Sequence, residues 1–145
     1  MDYVEKAFHI AKAAHEGQYD KGSRPYIEHP MHVAENVKSD AAKAVAYLHD
    51  VIEDTKGQPN EITADDLREA GIPEEVVIAV VAMTHEEGED YFDYVRRLKE
   101  NSIAREVKLA DLSHNMDRSR IPDFSENDEK RLAKYEKAKK ILLEE

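Results

Sequence analysis

The segment Leu48–Asp54 places four ionisable side chains within six residues, directly after an alanine-rich stretch typical of a buried helix. On a continuous helix His49 and Glu53 lie four residues apart, as do Asp50 and Asp54, so both pairs share one broad face. An imidazole and three carboxylates concentrated there repel and lose hydration unless a cation neutralises them. Alternatively, the histidine is a polar core residue and the acids mark the helix end, although acids there oppose the helix dipole. The pattern indicates a metal site or an acid–base site.

A second polar face lies within Lys108–Asn115. Lys108, Asp111 and Asn115 follow one another at helical spacing, so a cation, a carboxylate and an amide share one side of the helix. Taken alone, this pattern is typical of the solvated face of an amphipathic helix.

The third candidate is His29, which directly precedes Pro30. A residue before proline is biased toward extended backbone, and proline suits the first turn of a helix. We therefore expect His29 to lie just ahead of a helix N-terminus, from where its ring can reach a neighbouring site. His32 offers the same chemistry one turn later.

Together the three segments supply two imidazoles and two carboxylates, from His29, His49, Asp50 and Asp111. Such a nitrogen and oxygen set suits Mn²⁺, Fe²⁺ or a similar divalent ion, and it leaves positions open for water, as hydrolysis requires. The chain contains no cysteine, which excludes thiolate ligands, a disulfide framework and a thiol nucleophile.

The elements that must position these residues are predicted to be helices joined by short loops. The five glycines and five prolines fall between apolar segments of helical period. A strand also suits the valine run at 76–81, but the Pro73 start and the length favour a helix with Val76, Val77, Val80 and Val81 in the core. We predict one all-α domain over residues 1–145, a bundle of about seven or eight helices: 2–15, from Pro30, 41–53, 63–71, from Pro73, 89–100, 102–117, and from Ser125, with Asp40, Thr63 and Ser125 as N-caps.

Charge and hydropathy restrict the partners. The 145 residues carry 21 basic and 32 acidic side chains, a net charge of −11, which repels nucleic-acid phosphates. No run approaches 18 apolar residues, and the first residues lack the order of a signal peptide. We expect a cytoplasmic protein that binds neither nucleic acid nor membrane; the sequence leaves its oligomeric state open.

Four motifs carry a resemblance to a known family: His15–Gln18, Pro25–Pro30, Leu48–Thr55, and Val107–Asp111 with His114–Met116. From about residue 5 to 118 the chain resembles the all-helical HD superfamily of metal-dependent phosphohydrolases. It is most similar to the hydrolase domain of RelA/SpoT-type enzymes and their small single-domain relatives, which remove the 3′-pyrophosphate of (p)ppGpp with Mn²⁺.

The resemblance implies a role for each candidate residue. His29, His49, Asp50 and Asp111 would hold the metal, which is Mn²⁺ or another divalent ion such as Fe²⁺, Co²⁺, Ni²⁺ or Mg²⁺. Glu53 and Asp54 would be the acidic pair beside the attacking water. The expected substrate-binding residues are Lys21, Arg24, Lys108 and Asn115, with Asn115 in the nucleoside pocket.

The chain departs from the family pattern near the substrate. Asp20 stands where the (p)ppGpp hydrolases usually carry an arginine, Leu112 also replaces a common arginine, and Asp117-Arg118 replaces Arg-Thr. We therefore expect weaker (p)ppGpp hydrolysis than in the usual member and a lower Michaelis constant after Asp20→Arg, unless Arg24 restores the positive charge.

Three functions remain open at this point. The leading one is a divalent-metal phosphohydrolase acting on a phosphorylated nucleotide, with (p)ppGpp as a candidate. A nucleotidase or phosphodiesterase for another nucleotide would use the same centre. A catalytically silent nucleotide-binding or partner-binding module is the third, although such a binder has no evident need for the pair Glu53 and Asp54.

Overall fold

Helices build the part of the chain that the structure describes. In the computed structural model, which describes residues 2–121 and 123–144, the predicted all-α architecture is confirmed. None of the described helices is long and apolar enough to cross a membrane. The described elements are α1 Tyr3–Ala14, α2 Glu28–Glu35, α3 Asp40–Leu48, α4 Val51–Thr55, α5 Ala64–Glu69, α6 Glu74–Ala82, α7 Tyr91–Lys99, α8 Ser102–Asn115, a 3₁₀ turn Arg118–Arg120, and α9 Glu126–Leu143.

Side-chain caps begin several of these helices. Thr63 and Ser125 each form a capping box with the aspartate three residues later, as the sequence predicts. Asp40 is not the N-cap of α3. Ser39, which has extended backbone, accepts the hydrogen bond from the Ala42 N–H, and Asp40 occupies the first turn, where a carboxylate favours the helix dipole.

The predicted helix from 41 to 53 is broken at His49 and Asp50. α3 ends at Leu48 and α4 begins at Val51, which adds one helix to the number predicted. The His49 ring donates from Nδ1 to the carbonyl of Ala46 at 2.6 Å, a local bond that competes with continuation of the helix. The break divides the polar face that a continuous helix would have carried. The His49 side chain is buried, whereas Glu53 is exposed.

The core surrounds α3, which packs against α1, α2, α6 and α8. Ala42, Ala44, Val45 and Ala46 are fully buried, and their small size lets the neighbouring helices approach closely. α9 lies against α7 and α8, so the last helix closes the bundle over the element that carries Asp111.

Two sequence expectations about burial and position are wrong. Val81 is 43% exposed, because α6 presents only one side to the core, whereas Val76, Val77 and Val80 are buried as predicted. His29 does not precede α2 but lies in its first turn, since the helix begins at Glu28. Pro30 is tolerated at the third helical position because the first N–H groups of a helix have no partner within it.

Candidate metal centre and the adjoining cavity

Three elements bring buried nitrogen and oxygen donors to one point. His29 comes from the first turn of α2, His49 from the end of α3 and Asp111 from α8, and their donor atoms all lie within 4.8 Å of one another. The Nε2 atoms of His29 and His49 lie 2.7 and 3.4 Å from Asp111 Oδ1. Three of the four predicted ligands therefore meet although 82 residues separate the first from the last.

One buried ring nitrogen of His49 lies among the carboxylate oxygens of the cluster. Its Nδ1–H donates to the Ala46 carbonyl, and its buried Nε2 forms no hydrogen bond with the residues that the structure describes. This nitrogen nevertheless lies 3.1 Å from Asp50 Oδ2 and 3.4 Å from Asp111 Oδ1. A metal-binding histidine typically has one buried ring nitrogen among other ligand atoms and its second ring nitrogen hydrogen-bonded to the backbone, and His49 has this environment. The cluster can hold a divalent metal ion.

Asp50, the fourth predicted ligand, borders the cluster. Its Oδ2 accepts a hydrogen bond from the hydroxyl of Tyr26. Burial raises the pKa of Tyr26 far above its ordinary value, and the charge of Asp50 raises it further. The phenol therefore stays protonated and holds the carboxylate by donation.

The carboxylate of Asp111 is held by two other residues of α8. Lys108 donates to Oδ2 at 2.9 Å, and Asn115 donates from Nδ2 to Oδ1 at 3.1 Å. Burial alone would raise the pKa of Asp111, but the charges of Lys108 and His49 hold it well below the usual range. Both residues were expected to bind substrate; the structure places Lys108 as the buried counter-ion of Asp111, and only Asn115 also lines the cavity described below.

The two acidic residues of α4, Glu53 and Asp54, have different surroundings. Partial burial and the charges of Asp50 and Glu53 raise the pKa of Asp54 to about 7, so this carboxyl exchanges a proton near neutral pH. Its Oδ2 lies 3.8 Å from Nδ1 of the buried His15. Glu53 is exposed, and its Oε1 accepts the backbone N–H of His85 at 2.9 Å. Asp54 is therefore suited to proton transfer, and Glu53 is engaged by the loop after α6.

A cavity of about 270 Å³ adjoins the cluster, and His29 forms part of its wall. Three cationic side chains line it, from Lys21, Arg120 and Arg131. Lys21 Nζ lies 2.7 Å from Asp128 Oδ1, and Arg131 lies 3.9 Å from the same oxygen. The aromatic and amide lining comes from Tyr19, Tyr26, Asn115 and Tyr135.

Arg24, which was also expected to bind substrate, does not line this cavity. Its guanidinium is exposed and pairs with Glu28 at 2.7 Å, and it lines a second cavity of about 600 Å³. Asp20, His29 and Arg120 line both cavities, and the side chains of Asp20 and Arg120 lie 3.4 Å apart.

Asp20 has a structural role that the sequence does not suggest. Its Oδ1 accepts the backbone N–H groups of Gly22 and Arg24 at 2.8 and 3.0 Å, and Oδ2 pairs with Arg120. These donors lower the pKa of Asp20 against the effect of burial, so it stays ionised. An arginine at this position would lose all these bonds, which argues against the improvement expected from Asp20→Arg.

Several residues of the site were not assigned from the sequence. Tyr26 and His114 lie within the quoted motifs, each three residues from a predicted ligand, and this spacing was the available signal. Arg120, Arg131 and Tyr135 follow the last motif, and only the packing of α9 brings the last two to the cavity.

A family model named "HD domain" matches residues 15–118. Among curated relatives, a guanosine-3′,5′-bis(diphosphate) 3′-pyrophosphohydrolase of Borreliella burgdorferi is 31% identical over 148 residues, covering 90% of this chain and 21% of the relative. The enzyme of the same name from Haemophilus influenzae is 33% identical over 121 residues, covering 74% and 17%. A GTP pyrophosphokinase of Myxococcus xanthus is 28% identical over 145 residues, covering 92% and 19%. The chain thus spans about a fifth of the length of these relatives.

A solved structure has the same fold. It is described as a metazoan ortholog of SpoT that hydrolyzes ppGpp, and it superposes with a TM-score of 0.75 over 99% of this chain and 86% of the other. The sequence identity is 18%, so the likeness establishes the architecture.

Proposed function

Because this chain belongs to the HD-domain family, we propose that it is a divalent-metal-dependent phosphohydrolase acting on a phosphorylated nucleotide, with removal of the 3′-pyrophosphate of (p)ppGpp as the leading reaction. The observation that carries the proposal is the buried cluster of His29, His49 and Asp111 beside a cavity with a cationic wall. The names of the pyrophosphohydrolase relatives support the choice of substrate.

The proposed metal ligands are His29, His49, Asp50 and Asp111. Imidazole and carboxylate donors without sulfur suit Mn²⁺, the ion we propose, and also Fe²⁺, Co²⁺, Ni²⁺ or Mg²⁺. When bound, such an ion supplies Lewis acidity, which lowers the pKa of water and offsets phosphate charge.

Asp54 is the proposed proton carrier. A carboxyl with a pKa of about 7 is divided between its two forms at neutral pH, so it can accept a proton from the attacking water and return it to the leaving oxygen. Glu53 would act with it from the exposed side of α4, with one carboxylate oxygen fixed by the His85 N–H.

Binding of the nucleotide is assigned to the cavity wall. Arg120 and Arg131 would meet phosphate oxygens with their planar guanidinium groups, and Lys21 would add a point charge. Asn115 and Tyr135 offer an amide and an aromatic ring to the nucleoside. Arg24 and Lys108 are not assigned to this cavity, because neither side chain lines it.

The charge balance of this wall favours a second candidate, a nucleotidase or phosphodiesterase for a less highly charged nucleotide. Asp128 lies against Lys21 and Arg131, and Asp20 pairs with Arg120. Three cations against two carboxylates leave a surplus of one positive charge, which is small for a substrate with two pyrophosphate groups.

A nucleotide panel separates these activities. Purified protein loaded with Mn²⁺ is incubated with ppGpp, GTP, nucleoside monophosphates and cyclic nucleotides; the released phosphate and pyrophosphate are quantified, and the nucleotide products are separated by chromatography. Pyrophosphate from ppGpp supports the leading reaction, and phosphate from a monophosphate or ring opening supports the second candidate. The absence of turnover across the panel in metal-loaded protein contradicts both.

Two variants test the assigned roles in the same assay. Asp50→Ala should abolish turnover and metal retention while the circular dichroism spectrum stays helical. Asp54→Asn should retain the metal and lower kcat by about 10²-fold or more, as expected for lost acid–base catalysis. Asp65→Asn changes an exposed carboxylate of α5 and is the matched control.

A further inference from the structure

His114 makes a contact with the proposed metal ligand His29 that no catalytic role explains. The Nδ1 atoms of the two rings lie 2.6 Å apart, although 85 residues separate them in the chain. The ring planes are 9° apart, and the centroids are 4.9 Å apart. That separation is close to the N–N distance plus two ring radii, as expected for rings lying edge to edge in one plane. The nitrogen lone pair of an imidazole lies in the ring plane, so the geometry is that of a direct N–H···N hydrogen bond.

A contact this short between two ring nitrogens accommodates one proton. If both nitrogens carried one, the two N–H groups would collide, and if neither did, two lone pairs would face each other. The other ring nitrogen of His29, Nε2, lies 2.7 Å from Asp111 Oδ1 inside the candidate metal cluster. A histidine that ligates through Nε2 must leave that nitrogen unprotonated, so its proton belongs on Nδ1.

We propose that His114 is the positioning residue that accepts the Nδ1–H of His29, fixing the tautomer and the ring orientation in which His29 binds metal. His114 is then neutral, with its own proton on Nε2. The Ala46 carbonyl performs the same task for His49, so each proposed histidine ligand has its own acceptor. The inference rests on the proposed metal centre and is independent of the nucleotide substrate.

The fold holds His114 in this position from two sides. Its backbone carbonyl accepts a hydrogen bond from Arg120 Nη1 at 2.9 Å. The exposed ring of His32, one turn after His29 on α2, stacks on the His114 ring with a centroid separation of 3.9 Å and a plane angle of 17°. The acceptor is therefore fixed at the end of α8, one turn beyond Asp111 on the same helix.

Titration with Mn²⁺ alone tests the proposal without substrate. Free Mn²⁺ is followed by electron paramagnetic resonance in wild type, His114→Ala, His114→Asn and His32→Ala. His114→Ala should weaken binding by about 10–100-fold, the usual effect of removing the partner of a ligating histidine. His114→Asn should recover most of the affinity, because its Oδ1 can replace Nδ1 as the acceptor. His32→Ala removes a stacking partner but keeps the acceptor, so its affinity should stay within about threefold of wild type.

The tautomers provide a second readout. In ¹⁵N-histidine-labelled wild type loaded with diamagnetic Zn²⁺, long-range ¹H–¹⁵N spectra should place the His114 proton on Nε2 and the His29 proton on Nδ1. Metal affinity of His114→Ala equal to wild type, in variants whose metal-free circular dichroism spectra match, would overturn the proposal, as would a His114 proton on Nδ1. If wild type itself binds no Mn²⁺, the metal centre and the proposed function fail as well.

Discussion

Lys108→Met gives a direct test of how the centre is balanced electrostatically. The Lys108 and Asp111 side chains are only 11% and 5% exposed, and their charged atoms lie 2.9 Å apart. The lysine stem also packs near Tyr91 and Tyr94, whose ring centroids lie 5.9 and 5.3 Å from the ammonium, so methionine fills similar space. The substitution removes the charge with little change of volume.

The size of the effect follows from the distance. Two unit charges 2.9 Å apart attract by about 6 kcal/mol at an effective dielectric constant near 20. Breaking a buried pair by removing one partner typically destabilises a protein by about 3–5 kcal/mol, because the remaining charge stays buried. That loss is a large share of the roughly 5–15 kcal/mol that stabilises a typical domain.

A bound cation changes this expectation. A divalent cation held by the histidines and Asp111 would place a double positive charge beside the carboxylate, where the metal-free protein has the single charge of His49, and the loss of Lys108 would then matter less. The free energy of unfolding of Lys108→Met should therefore fall by about 3–5 kcal/mol in EDTA, and by less than half of this with saturating Mn²⁺. Guanidinium denaturation followed by circular dichroism measures both conditions.

Lys139→Met, at an exposed position of α9, is the control for the loss of a lysine and should change stability by less than about 0.5 kcal/mol. A loss for Lys108→Met below about 1 kcal/mol in EDTA would refute the view of Lys108 as a buried counter-ion. An equal loss with and without Mn²⁺ would refute the placement of the cation beside Asp111.

Two further predictions concern Asp54 and Asp20. The pKa of Asp54 in the folded, metal-free protein is about 7, above its ordinary 3.8, so the fold favours the protonated form and its contribution to stability is lost as pH rises from about 4 to 7. The difference in unfolding free energy between wild type and Asp54→Asn in EDTA should decline over that range, and a flat difference would contradict the shift. Asp20→Arg should lower stability by about 1–3 kcal/mol, because two backbone N–H groups lose their acceptor; a more stable variant, measured by thermal unfolding, would show that this loop does not need the carboxylate.

The sequence predicted those structural features that depend on interactions between residues close together in the chain. The caps at Thr63 and Ser125 depend on residues only three positions apart, so their pattern is visible in the sequence. The break at His49 was missed, because the ring bond to the Ala46 carbonyl looks no different in sequence from an ordinary helical histidine. The same bond turns the imidazole toward Asp111, so the break in the helix also places His49 in the candidate cluster.

The sequence says more about the proposed metal ligands than about the basic residues of the cavity wall. Donors that suit one ion can be recognised by their chemistry, so His29, His49, Asp50 and Asp111 could be grouped as proposed ligands across 82 residues by chemistry and by resemblance to the family.

The sequence around a lysine or arginine does not show which carboxylate the side chain pairs with. Lys21 donates to Asp128, 107 residues away, and Asp20 accepts from Arg120, 100 residues away. Neither pair could be foreseen before α9 and the 3₁₀ turn were placed against the first loop. These pairs decide how much positive charge is left for a substrate. Choosing between (p)ppGpp and a less charged nucleotide therefore depends on long-range packing rather than on the motifs that predict the metal centre.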